Sequence, residues 1–204
     1  MRNVLLAACL AGISLLSGAC GTHSGPAGDG PADSTAQQDS GTKFYFPVAD
    51  ILESEIRTAD SLPMAKKEYV IHNGRTDSGY LQPAEFHALA MRFLAPELRD
   101  GSFEKDFTEN SFIDNTTREA TFTYSTTDAN LPLRRVDVVT APEGAVHRMK
   151  SIYLERKRVS GDSTIFDKMY WRAGTGFEVI SLAGKKGGTP AEQRLKVEWG
   201  GDNE

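Results

Sequence analysis

From Arg118 to Trp199 the apolar side chains of this chain recur at every second residue, and no other pattern in the sequence restricts the fold as strongly. Ala120, Phe122 and Tyr124 alternate with Thr121 and Thr123. Side chains two apart share one face of an extended strand, so this alternation marks a strand with one buried side. Residues 133–141, with Val136, Val138 and Val139, read the same way, as do 146–159, 164–172, 177–182 and 195–199. Pro142-Glu143-Gly144, Gly161-Asp162 and the glycine-rich stretches 174–176 and 184–190 separate these runs with turn chemistry. The spacing predicts an antiparallel meander of about six strands.

The period differs in the preceding part. Val48, Ile51, Leu52, Ile56 and Ala59 fall at helical spacing behind Pro47, and the helix should stop near Ser61-Leu62-Pro63. Asn73-Gly74 sits between residues 66–72 and 75–81, the strongest short hairpin signal. Pro83 opens a second helix with Phe86, Leu89, Ala90, Phe93 and Leu94 on its stripe, and Pro96 closes it. Residues 97–115 lack a period; Phe103, Phe107, Phe112 and Ile113 within them are expected to be buried. Two helices and a hairpin followed by a run of strands imply an α+β domain, with the helices on one face of an antiparallel sheet.

Only two cysteines occur, Cys9 and Cys20, so nothing beyond residue 20 can form an internal disulfide and the domain must rest on its hydrophobic core. Arg2 followed by an apolar run over 4–16 has the length of a signal-peptide core and is too short to span a bilayer. The segment Leu16-Ser17-Gly18-Ala19-Cys20 resembles the signal peptide of a bacterial lipoprotein. The family prefers a branched aliphatic residue where Ser17 stands; the stricter spelling Leu6-Ala7-Ala8-Cys9 would leave too short an apolar core. The resemblance implies cleavage before Cys20 and acylation of that residue. An ordinary secretory cut beside Ala19 would instead leave Cys20 unmodified. Gly21 rather than Asp follows the cysteine, which in the same resemblance points to the outer membrane, with the periplasmic or surface side left open.

The chain therefore divides into a signal peptide over 1–19, a tether over 20–42 and one globular domain over 43–204. The tether is Gly, Ser, Pro, Ala, Thr, Asp and Gln with one His, a composition that cannot bury enough apolar surface to order itself. About 22 flexible residues reach roughly 25 Å in root-mean-square length. Loss of Arg2 with the leader takes the formal charge from −5 to −6, which argues against nucleic acid as a partner.

The sequence contains no nucleophile elbow, phosphate loop, zinc-protease motif or EF-hand loop, and no cofactor or metal is expected. Its four histidines, His23, His72, His87 and His147, do not pair at ligand spacing. Asp106, Glu109 and Asp114 gather in the irregular segment as a weak candidate for a cation or sugar site. Use of these acids in hydrolysis is a minor alternative. Arg134, Arg135, Arg148 and Lys150, with the run Arg156-Lys157-Arg158, would share one face if residues 133–141 and 146–159 pair. That face would suit an anionic lipid or glycan. Trp171, Trp199, Tyr153 and Tyr170 fill a core or form a sugar-stacking row.

The mature chain also resembles, in element order over 44–199, small uncharacterised α+β envelope lipoproteins, a likeness that carries no site residues. The expected function is a non-enzymatic binding or assembly module anchored to a membrane through Cys20, with an envelope protein, lipid or anionic glycan as partner. The alternative is a carrier of an acyl chain or lipoprotein, resembling half-barrel acceptors. Its hollow would be lined by Phe122, Met149, Ile152, Met169 and Phe177.

Overall fold

The computed structural model describes residues 45–200 except 102, 145 and 186; the expected signal peptide, the expected tether and Cys20 lie outside the described residues. Helix α1 (Val48–Ser61) is followed by strands β1 (Lys66–His72) and β2 (Arg75–Leu81), helix α2 (Pro83–Ala90), two 3-10 turns (Met91–Phe93 and Pro96–Leu98) and the short helix α3 (Phe103–Asp106). Seven strands complete the domain: β3 (Thr108–Ile113), β4 (Ala120–Ser125), β5 (Leu133–Glu143), β6 (Val146–Ser160), β7 (Ser163–Arg172), β8 (Gly176–Lys185) and β9 (Ala191–Glu198). All nine belong to one antiparallel sheet in the order β2-β1-β9-β8-β7-β6-β5-β4-β3.

The local reasons are visible. Asn73 and Gly74 both take positive φ, 51° and 74°, which a two-residue turn needs to follow the twist of its strands. The α2 start carries Pro83 in the first turn, and Gln82 and Glu85 bond each other's backbone in a capping box. In α1 the buried residues Val48, Leu52, Ile56 and Ala59 form a single stripe.

The chain leaves β2 at one edge of the sheet and re-enters as β3 at the other. Eight strand spacings of about 4.8 Å make that a traverse of about 38 Å. Residues 82–107 make it, and they bury Phe86, Ala90, Phe93, Leu94, Ala95, Leu98, Phe103 and Phe107 along the way. Phe86 meets Trp199 edge-on at 5.2 Å, and Phe93 meets Trp171 and Phe177 at 5.4 and 5.3 Å. At the other end Phe103 and Tyr45 pack on Tyr124, whose hydroxyl accepts the Phe46 N–H at 3.1 Å. Trp171 and Trp199 are thus core residues, not an exposed stacking row.

This architecture overturns the expected α+β layering. Of the described residues 52% are strand and 21% helix, and one nine-stranded sheet organises them, in place of helices laid over a sheet of about six. Two things account for the difference. The hairpin is not a separate element, because β1 pairs along β9 from Lys67↔Glu198 to His72↔Gln193. The irregular segment also contains β3, an edge strand whose apolar residues face water: Phe112 and Ile113 are 67% and 60% exposed, contrary to the expectation that they are buried. The helices are too short to form a layer. The 14 residues of α1 span about 21 Å, while the 15 of β6 span about 50 Å.

Candidate functional site

Because strand side chains alternate and the registers are continuous, the apolar face of the sheet can be followed row by row. Leu154, Met169, Val179, Leu195 and Val70 lie directly opposite one another across β6, β7, β8, β9 and β1. Two residues further along, the same face turns polar: Arg156, Asp167, Ser181, Gln193 and His72 form the next row. Beyond it come Arg158, Ile165, Ala183 and Ala191. The helical segments end before these rows are covered. A cleft of about 780 Å³ results, with Leu89 of α2 and Arg92 of the first 3-10 turn contributing to its walls. Its size lies in the range that holds small ligands.

Asp167 organises the polar row. It is 3% exposed. Arg158 donates to its two oxygens from Nε at 2.6 Å and Nη2 at 3.3 Å, and Ser181 Oγ donates to Oδ1 at 2.5 Å. Burial pushes its carboxyl up, but the bonds from Arg158 and Ser181 and the charges of Arg158 and Arg92 outweigh that and hold it below the usual carboxylate range. Arg156 donates from Nη1 to the Arg92 carbonyl at 3.2 Å, while its buried Nε has no partner among the described residues. The Arg92 guanidinium is half-buried and has no ion pair among the described residues. Desolvation lowers its pKa; nearby Asp167 opposes this, and the positive charges of Arg158 and Arg156 add to it.

Of the residues singled out from sequence, Arg156, Arg158, His72 and Met169 line this cleft; Asp106, Glu109, Asp114, Arg134, Arg135, Arg148 and Lys150 do not. Asp106 ends α3 and Glu109 lies on β3. Asp114 closes a turn by accepting the N–H groups of Thr116 at 2.7 Å and Thr117 at 3.4 Å, bonds that lower its pKa. Glu109 and Asp114 are five residues apart along extended chain, about 17 Å. Paired hydrolytic carboxylates stand within about 10 Å of each other. The segment is a strand followed by a turn bonded through Asp114. Among the described residues no group of three or more His, Cys, Asp or Glu is placed to hold a metal.

The basic residues are separately engaged. Arg134 donates to the Asp128 carbonyl, and Arg135 pairs with Asp137 at 2.8 Å. Arg148 pairs with Glu143, and Lys150 with Glu119 at 2.7 Å. β5 and β6 do pair, but the run 156–158 splits by strand parity. Arg156 and Arg158 line the cleft, whereas Lys157 lines a separate hollow with Phe166, Leu182 and Pro190. The hollow expected for a carrier is filled. Ile152, Met149 and Phe177 belong to the core, Phe122 stacks on Phe46 at 5.1 Å, and of the five only Met169 reaches the cleft. The sheet itself is open, with β2 and β3 at its edges.

Asp167, Ser181, Gln193 and Arg92 had no motif to mark them. The signal available was parity. Asp167 shares its face with Met169 and Trp171, so an acid occupies an inward position of a strand with an otherwise apolar inner face. No family model and no curated protein matches this chain.

Proposed function

We propose that this chain is a membrane-anchored envelope lipoprotein whose folded domain is a non-enzymatic binding module, with the cleft over β6, β7, β8, β9 and β1 as its ligand site. The observation that carries the reading is the cleft: a sheet face that continues past its helical cover and carries a polar row between apolar ones. The resemblance of residues 16–20 to a lipoprotein signal and the composition of the tether supply the anchor, with the membrane engaged through acyl chains on Cys20 and the outer membrane as the site of residence. No helix among the described residues is long and apolar enough to cross a membrane.

Intact-mass spectrometry of the protein taken from its own membranes, with a native extraction in parallel, tests both parts. The expected species begins at Cys20 and carries two or three acyl chains. In the native sample it also carries a non-covalent small-molecule mass, which Ala183→Trp, placed in the cleft, removes. A species without acyl chains sinks the anchor. An adduct that survives Ala183→Trp, or none at all, sinks the cleft.

A further inference from the structure

We infer that the cleft takes a single-chain anionic amphiphile, a carboxylate or phosphate head on an aliphatic tail, with the head held between Arg92 and Arg156. This deepens the binding-module reading and rests on it. Three guanidinium groups and one buried carboxylate line the polar end of the cleft, with Glu192 on β9 and His72 on β1 as the remaining titratable groups there. Asp167 is consumed: both its oxygens take Arg158, and Oδ1 also takes Ser181. It therefore neutralises one arginine and leaves two. Neither Arg92 nor Arg156 has a carboxylate within ion-pair distance among the described residues, and Glu192 makes no ion pair there.

Arginine is the side chain suited to this role, because its planar donors match the oxygens of a carboxylate or phosphate and it is weakly hydrated for a cation. Asp167 offsets one of the three guanidinium charges, so Arg92 and Arg156 still repel each other, and an anion between them removes that repulsion. The remainder of the cleft fixes the rest of the ligand. Val70, Leu89 and Leu195 on one side of the polar row, and Ile165 and Ala183 on the other, offer aliphatic surface continuous with the arginines. A fully polar anion would leave this surface wet, and a neutral alkyl compound would leave the arginines unpaired. An amphiphile satisfies both ends.

The test is calorimetric titration of the full lipidated chain in nanodiscs with octanoate, octyl phosphate and 1-octanol, with empty nanodiscs subtracted. Both anions should bind at least about tenfold more tightly than the alcohol, the difference expected of hydrogen bonds to a charged group. Arg92→Gln and Arg156→Gln should each erase about tenfold of anion affinity and leave octanol affinity unchanged. The tighter of the two anions tells a fatty-acid source from a phosphate-headed one. Equal affinity of wild type for all three probes overturns the headgroup inference and leaves the apolar cleft standing. Binding of none of them overturns the cleft reading itself. The wild-type ratio decides the matter even if a variant fails to fold.

Discussion

Replacing Asp167 by Asn keeps the shape of the side chain and removes its charge, which isolates the role of the buried carboxylate in the polar row. The wild-type group is 3% exposed and receives two bonds from Arg158 and one from Ser181. A hydrogen bond to a charged group contributes about 1.5–3 kcal/mol. Asn retains one acceptor, and the Arg158 side chain, 45% exposed, turns toward water when its partner is neutral. The discounted loss is about 2–3 kcal/mol, which in a domain of this size lowers Tm by about 4–12 °C. The pH dependence has a definite sign. The folded carboxyl titrates below its unfolded value of about 3.9, so its contribution is complete above that value and disappears as pH falls through the folded pKa. Thermal unfolding followed by circular dichroism should therefore show a gap between wild type and Asp167→Asn that is constant from neutral pH down to about 5 and narrows below about 4. A gap under about 0.5 kcal/mol at neutral pH, within the scatter of ordinary surface substitutions, would refute the account, as would a gap that does not change in acid.

Three further outcomes follow from the packing. Gly176→Ala places a Cβ against the Val197 carbonyl oxygen of the neighbouring strand, and the forced shift should cost about 1–3 kcal/mol in chemical denaturation. Phe93→Ala removes a fully buried ring that touches Trp171 and Phe177 and should cost about 3–5 kcal/mol, visible as a lower denaturant midpoint. Glu97→Ala strips the Leu133 N–H of its buried acceptor, 3.1 Å away, and should cost about 1–3 kcal/mol, with faster amide exchange at Leu133 as the specific mark.

Much of the local structure was legible because it depends on short-range chemistry. The Asn73-Gly74 hairpin, the α1 stripe and the strands from Ala120 onward stand where turn residues and period place them. What sequence could not show was pairing between distant segments. Nothing in Lys66–His72 announces β9 as its partner, so the hairpin read as a separate element and the sheet as smaller than it is. β3 escaped for a related reason: an edge strand with both faces wet has no alternation to detect. The site was hidden more deeply. Arg156-Lys157-Arg158 read as one basic patch, yet a strand sends alternate members to opposite sides. The meeting of Arg156 and Arg158 with Asp167 needs the β6–β7 register, and their meeting with Arg92 needs the traverse of residues 82–107. Several of the acids and bases that did stand out have partners close in sequence, such as Arg135 with Asp137 and Asp114 with Thr116, whereas Lys150 reaches Glu119 across 31 residues. For the first two, that proximity is why they are engaged in local structure.

The β1–β9 pairing also has a kinetic consequence. Every other strand pair joins neighbours in the chain, but Lys67 meets Glu198 and His72 meets Gln193, closures of roughly 120–130 residues. Loops of that length close late, after the local hairpins have formed, so this seam should set the folding rate. Until β9 arrives, β1 has one unpaired edge and Phe86 lacks Trp199. Synthesis from the amino end leaves the fold unfinished until Ala191–Glu198 emerges, with the free edge of β1 exposed for that interval to strand-pairing with a neighbour.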